Sequence, residues 1–185
     1  MPAPYITLAE SFETYLGTLD KKQRHEIRRK LRNAEARHQT GWYTVNEKDA
    51  LTAEMDAFIA MMHNDHRKVE FLQNPAMLQY LHDFAKAAFE DKLLRLSFLT
   101  FDNHKAAAFL SLVTQQKLWV YNSAWEPAFA SSSPGWVLLA KEIEWAIAQG
   151  IREVDMMRGD EDYKYKFGAK DRYIMHTRCA PQTGN

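Results

Sequence analysis

The 185 residues suit one domain, and with 46% hydrophobic and 26% charged side chains the chain can bury an ordinary globular core. Lys plus Arg number 24 and Asp plus Glu number 24, a balance that argues against bulk electrostatic capture by nucleic acid or a membrane. A lone cysteine, Cys179, excludes an intramolecular disulfide, no apolar run approaches the ~20 residues that span a bilayer, and Met1–Tyr5 lacks a signal layout, so a cytoplasmic protein is expected.

Ser11–Gln39 reads as helix, with apolar Phe12, Tyr15, Leu16 and Leu19, then Ile27 and Leu31 among many charges, and Ser11 as its cap. Gly17 and Asp20 can divide it into two helices, and Gly41 stops it. Trp42–Val45 is β-rich and reads as a short strand. Leu51–His63 reads as a further helix because Met55, Phe58, Ile59 and Met62 share one face. The polar stretch 64–74 reads as a loop. Pro75 suits the first turn of a helix running to about Glu90, with Leu78, Leu81, Phe84, Ala85 and Phe89 as its buried stripe. The period then changes. Leu94–Phe101, Ala106–Val113 and Leu118–Ser123 read as strands joined by polar turns at Asp102–His104 and Gln115–Gln116, an antiparallel meander. A loop with Pro127 and Pro134 leads into the apolar helix Trp136–Gln149, closed by Gly150. Ile151–Met157 is expected to lie as a parallel strand after that helical crossover, and Tyr173–Cys179 as a final strand. The fold class is α+β, a mixed, mostly antiparallel sheet flanked by helices, with its active edge at the loop entering the 136–149 helix.

Two constellations carry chemistry. In Ser131-Ser132-Ser133-Pro134-Gly135-Trp136-Val137 a small-residue loop opens into a helix, where unpaired N–H groups and the positive dipole end can cradle a pyrophosphate. The same residues also read as a plainly capped helix, with Ser133 as N-cap and Pro134 in the first turn. From Asp155 to Gly168, carboxylates, tyrosines, Arg158 and Lys164 crowd the exit of a core strand; they read either as acids and bases of a site or as a solvated turn with local ion pairs. A basic stretch, Lys21, Lys22, Arg24, Arg28, Arg29, Lys30, Arg32 and Arg37, could face a phosphate, an acidic substrate or nucleic acid, or simply water. His63-Asn64-Asp65-His66 has metal-compatible spacing but no evident fourth ligand, so no metal is assigned; Cys179 has no neighbouring pattern.

Ser133-Pro134-Gly135 before a Leu138-Leu139 helix, Glu144–Gly150, Asp155, Arg158–Glu161 and Tyr163-Lys164 together resemble the GNAT-like acetyltransferase family of CelD-type proteins, related to the Fem peptidyltransferases. The basic helix, the Met62-His63 helix end and the Pro75 helix fit the same resemblance, which covers nearly the whole chain. It implies a GNAT fold over residues 1–185, as a stand-alone domain or as one half of a two-unit architecture. It also implies acetyl-CoA or another acyl-CoA under Ser131, Ser132, Ser133, Gly135, Trp136 and Val137. Against the common loop pattern, Gly135 matches the last position, whereas Ser133 stands where a glycine belongs and Ala130 where Gln or Arg belongs. Tyr163 and Tyr165 lie near the place of the acid tyrosine without its usual offset from Gly168.

The reaction implied is transfer of an acyl group from the thioester to a small-molecule or peptide amine. Asp155, Asp160 and Glu161 are candidate bases, Tyr163 the candidate acid, and an N–H of the Leu118–Ser123 strand the candidate partner for the thioester oxygen. Arg158 and Lys164 are candidates to bind the acceptor. Two other readings stay open: a transferase taking aminoacyl-tRNA, as Fem relatives do, and a non-catalytic half that shapes a partner or forms a homodimer.

Overall fold

The structure is a computed structural model and describes residues 1–177. Its centre is a six-stranded sheet in the order β1-β6-β5-β4-β3-β2. The strands are β1 Tyr5–Thr7, β2 Thr40–Thr44, β3 Leu94–Phe101, β4 His104–Thr114, β5 Lys117–Trp125 and β6 Glu153–Asp155. Every neighbouring pair is antiparallel except β5 and β6. The expected meander is β3-β4-β5. Its first turn is two residues, Asp102 and Asn103, both with positive φ (52° and 65°), the geometry that matches the twist of paired strands.

Helices cover both faces. On one lie α1 (Phe12–Thr18), α2 (Lys21–Arg37) and α6 (Pro134–Ala148), whose Leu16, Ile27, Ala34, Leu138 and Ile143 meet Leu99, Phe101, Ala107 and Phe109. On the other lie α3 (Lys48–Met62) and α5 (Pro75–Glu90), whose Met55, Phe58, Leu81 and Ala85 meet Leu96, Phe98, Ala108 and Leu110. The alternation of odd and even strand residues between the two cores follows from the two-residue period of a strand. The 11–39 region divides at Asp20, which caps α2 by a reciprocal bond with Gln23, while Ser11 caps α1 through Thr14 N–H at 3.0 Å.

Several elements differ from the sequence expectation. The 64–74 stretch is not an unstructured loop: Asp65 accepts from Arg67 N–H and starts a 3-10 turn, His66–Lys68, which continues into α4, Val69–Leu72, with Leu72 buried. β1 pairs with β6 at the sheet edge, and three residues are too few for a periodic signal. β6 is confined to Glu153–Asp155 because Met157 turns out of the sheet at φ 55°. A short α7, Asp162–Lys166, follows. Tyr173 makes only an isolated bridge to Pro2, and the rest of the expected last strand runs into residues outside those described, including Cys179. Among the described residues no helix is long and apolar enough to cross a membrane.

Candidate active site

The parallel pairing of β5 and β6 ends early. β6 matches Lys117, Leu118 and Trp119 and no further, so β5 from Val120 to Trp125 has no β6 partner. On its β4 side the register jumps: Leu110 faces Asn122 but Ser111 faces Val120, leaving Tyr121 as the extra residue of a bulge. Side chains of the 64–68 turn reach the open edge. Lys68 Nζ donates to Asn122 Oδ1 at 2.7 Å and to Ser123 O, and Asn64 Nδ2 donates to Trp125 O at 3.5 Å. Burial pulls the Lys68 ammonium below its ordinary value.

A cavity of about 500 Å³ opens where the strands part. Its walls bring together three parts of the chain: Ser133, Pro134, Gly135 and Trp136 from the start of α6, Glu161, Asp162 and Tyr163 after β6, and Asp65 and Arg67 from the 3-10 turn. Phe109 and Met61 supply apolar floor, and Lys30 comes from α2.

One end of the cavity is the α6 N-terminus. Pro134 has no N–H, and Trp136 and Val137 donate to Ser133 O at 3.0 and 3.2 Å. Gly135 N–H has no protein acceptor among the described residues. A Cβ built on Gly135 meets nothing within 4 Å, so the backbone is uncrowded on that side of the residue. Lys30 Nζ stands beside it, 3.2 Å from Ser133 Oγ and 3.9 Å above the Trp136 ring, with burial lowering its ammonium and Glu26 opposing that effect. An open N–H, a helix dipole and a cation at one point suit an anion.

The other end holds two titratable groups, Glu161 and Tyr163. Burial, the largest single influence, would raise the Glu161 carboxyl, but the bond to Lys164, its own backbone N–H and the charges of Lys164 and Arg67 together hold it below the usual range. Burial, then the charge of Glu161, pushes the Tyr163 phenol up. The chain here is firmly held. Lys164 Nζ donates to Arg158 O at 3.1 Å and Gly159 O at 3.2 Å and pairs with Glu161 at 2.9 Å, Tyr15 Oη donates to Phe167 O at 2.7 Å, and Gln23 Nε2 donates to Tyr165 O at 3.0 Å. Gly159 sits at φ 111°, where a Cβ would lie 2.6 Å from Glu161 Oε2, so the turn that presents Glu161 needs glycine.

Residues 21–165 match the model of a family described as an acetyltransferase (GNAT) domain. The chain belongs to that family. No curated protein sequence matches it. This GNAT domain shares its fold with solved structures at low identity. They include FemX (11% identity, TM-score 0.52, covering 91% of this chain and 58% of that one) and the C-terminal domain of a putative lysylphosphatidylglycerol synthetase from Agrobacterium fabrum (12%, 0.62, 92% and 57%). A conserved protein of unknown function from Bacteroides thetaiotaomicron is a third (15%, 0.60, 90% and 55%). The chain spans somewhat more than half the length of these structures.

Within the GNAT domain, the residues singled out from sequence divide by position. Ser133, Gly135, Trp136, Glu161 and Tyr163 line the cavity together. Ser131 is exposed, Ser132 is turned away to His38, and Val137 is buried in the core. Asp155 lies on β6 against β1, where it accepts from Met157 N–H at 2.8 Å and Arg172 at 3.3 Å; burial raises its carboxyl. Arg158 and Asp160 are exposed and do not line the cavity, Tyr165 Oη is bonded to Asp171, and Lys164 is buried, donating to two backbone oxygens and ion-paired with Glu161. At the metal-spaced segment, His63 Nδ1 sits on Ile59 O and Asp65 forks Arg67 at 3.0 and 2.8 Å, which pulls the Asp65 carboxyl down to about 2. Sequence reading did not find Arg67, Asp162, Met61, Phe109 or Trp125 as site residues, and Lys30 was one basic residue among eight.

Proposed function

We propose that this domain transfers an acyl group from acyl-CoA, with acetyl-CoA as the simplest donor, to an amine acceptor. The observation that carries the reading is a single cavity with an anion-ready helix end at one side and an ionised Glu161 beside a neutral Tyr163 at the other. Lys30, Gly135 N–H and the α6 dipole would hold the donor pyrophosphate. Bound acyl-CoA would supply the acyl group already activated as a thioester. The N–H of Trp125 on the open β5 edge would face the thioester oxygen, since the Ser123 N–H already donates to Asn122 Oδ1 at 2.9 Å. Glu161 draws the acceptor amine by charge and takes its proton, directly or through water, as the nitrogen bonds to the acyl carbon. Tyr163 gives a proton to the departing sulfur. Lys164 acts by positioning Glu161 and the 158–159 turn. Asp155, Asp160 and Arg158 take no part in this version, because they lie off the cavity.

A second donor is favoured by one feature. Lys21, Lys22, Arg29, Arg32 and Arg37 are exposed on α2, the helix that also delivers Lys30 to the cavity. Such a face suits the phosphates of an aminoacyl-tRNA. Release of free thiol from acetyl-CoA, followed across a panel of amines for wild type and Tyr163→Phe, tests the first reading. Amine-dependent release that falls at least tenfold in the variant supports it. No release with any amine, together with salt-sensitive tRNA binding, would transfer the assignment to the second donor. Neither activity would leave a non-catalytic GNAT half.

A further inference from the structure

The three serines before α6 could each cap the helix, and none does. Ser133 occupies the N-cap position in a left-handed conformation (φ 53°, ψ 53°) and makes no capping bond, a strained geometry for a residue with a Cβ. Its hydroxyl is bonded to Lys30. The Ser132 hydroxyl, 3% exposed, is 2.9 Å from His38 Nε2, and His38 Nδ1 is 2.7 Å from Asp102 Oδ2. Asp102 is itself fixed, accepting from Gln39 N–H at 2.9 Å and donating its own N–H to Gln39 O at 2.9 Å. The His38 ring lies flat on Phe101 at 4.5 Å and edge-on to Phe129 at 5.7 Å. A carboxylate only accepts, so Nδ1 carries the hydrogen, and in the neutral ring Nε2 accepts the Ser132 hydroxyl.

This Ser-His-Asp line resembles a nucleophilic triad in connectivity but not in access. Ser132 lines neither the 500 Å³ cavity nor the groove of about 430 Å³ on the other side of His38. Its neighbours Ala130 and Ser133 do line the donor cavity. The relay therefore stands in the wall directly behind the donor loop, and both of its fixed ends belong to rigid parts: the C-cap of α2 and the β3-β4 turn.

We infer that His38, oriented by Asp102, is a positioning residue for the donor loop. It draws Ser132 off the helix end, sets the left-handed turn at Ser133, and so leaves Gly135 N–H open to the ligand. This rests on the reading of the α6 N-terminus as the donor site. The test is residue-resolved amide hydrogen exchange and acetyl-CoA calorimetry on the full-length wild type, His38→Ala and His38→Gln. In His38→Ala the Ser133, Trp136 and Val137 amides exchange at least tenfold faster and the acetyl-CoA Kd rises about tenfold, while amides of α3 and α5 keep their rates. His38→Gln, whose amide can meet Ser132, recovers most of both. Wild-type exchange at those three amides in His38→Ala overturns the inference, as does an unchanged Kd. If wild type binds no acetyl-CoA, the donor reading fails by itself, and the exchange comparison alone then decides whether His38 holds the loop.

Discussion

The domain contains two clusters of opposite charge that share a chemistry and differ in what they face. In one, Arg95 and Glu142 pair at 2.6 Å with side chains 6% and 0% exposed. Trp42 Nε1 donates to the same carboxylate at 3.0 Å, and Arg95 stacks 3.2 Å from the Trp145 ring centroid. Every partner there is protein. In the other, Lys30, Asp65, Arg67 and Glu161 stand around a cavity, each tied to the chain by one side and open on the other. The first cluster joins β3 to α6 and fixes the sheet against its helix. The second is held in place by that framework and keeps its charges available. Charge by itself thus says little about function; completeness of the surrounding hydrogen bonds separates architecture from site.

The sharpest break of this comparison removes one member from each cluster. Glu142→Ala leaves Arg95 buried without a counter-charge and is expected to cost about 3–5 kcal/mol, seen as a lower urea midpoint. A loss under about 1 kcal/mol would mean that the pair is no more than a surface bridge in effect. Glu161→Gln is expected to lower kcat/KM about 100-fold while stability changes by no more than about 1 kcal/mol, because the carboxylate is partly exposed. The reverse pattern, with stability lost and activity kept, would move Glu161 into the structural class.

The pH profile sharpens the same contrast. In the proposed mechanism Glu161 acts as a carboxylate; its pKa is held below the usual range, so protonation should remove activity only as pH falls through that lowered value. In the same mechanism Tyr163 acts as a phenol; its pKa is raised, so its loss should lie above the usual phenol range. Between neutrality and about pH 5 kcat should therefore be flat on the enzyme side. A limb centred between pH 6 and 7 in kcat for Glu161 and absent in Glu161→Gln would contradict the assignment. The smallest effect expected is at Gly135: Ala there meets no neighbour and should stabilise by up to about 1 kcal/mol, read from thermal unfolding, since nothing in the free domain requires glycine.

How far the sequence reached follows the same division between local and long-range causes. The β3-β4-β5 meander, α5 after Pro75 and the break at Asp20 are written in period and capping chemistry, and they appear where expected. β1 and α7 have three and five residues, too few for a period. α7 is held by the Lys164 clamp rather than by helix propensity. The 131–136 junction and the 161–163 stretch were legible because small residues before an apolar helix and carboxylates beside tyrosine are local patterns. Their conformation was not: Ser133 reads as an ordinary N-cap and is left-handed without a cap bond. Arg67 was invisible because it reaches the cavity through a turn far from Glu161 in sequence. The His38 relay was invisible for the same reason, with partners 64 and 94 residues away.

Calorimetry of acetyl-CoA with wild type and with Gly135→Leu tests the account most directly. A Cβ at Gly135 meets nothing within 4 Å, so the leucine is expected to keep the fold while its larger side chain obstructs the cavity at the α6 N-terminus. Micromolar binding in wild type that is lost in Gly135→Leu, with the melting temperature preserved, is the predicted result. Equal binding by both proteins would place the donor elsewhere, and no binding by wild type would contradict the acyl-CoA reading itself.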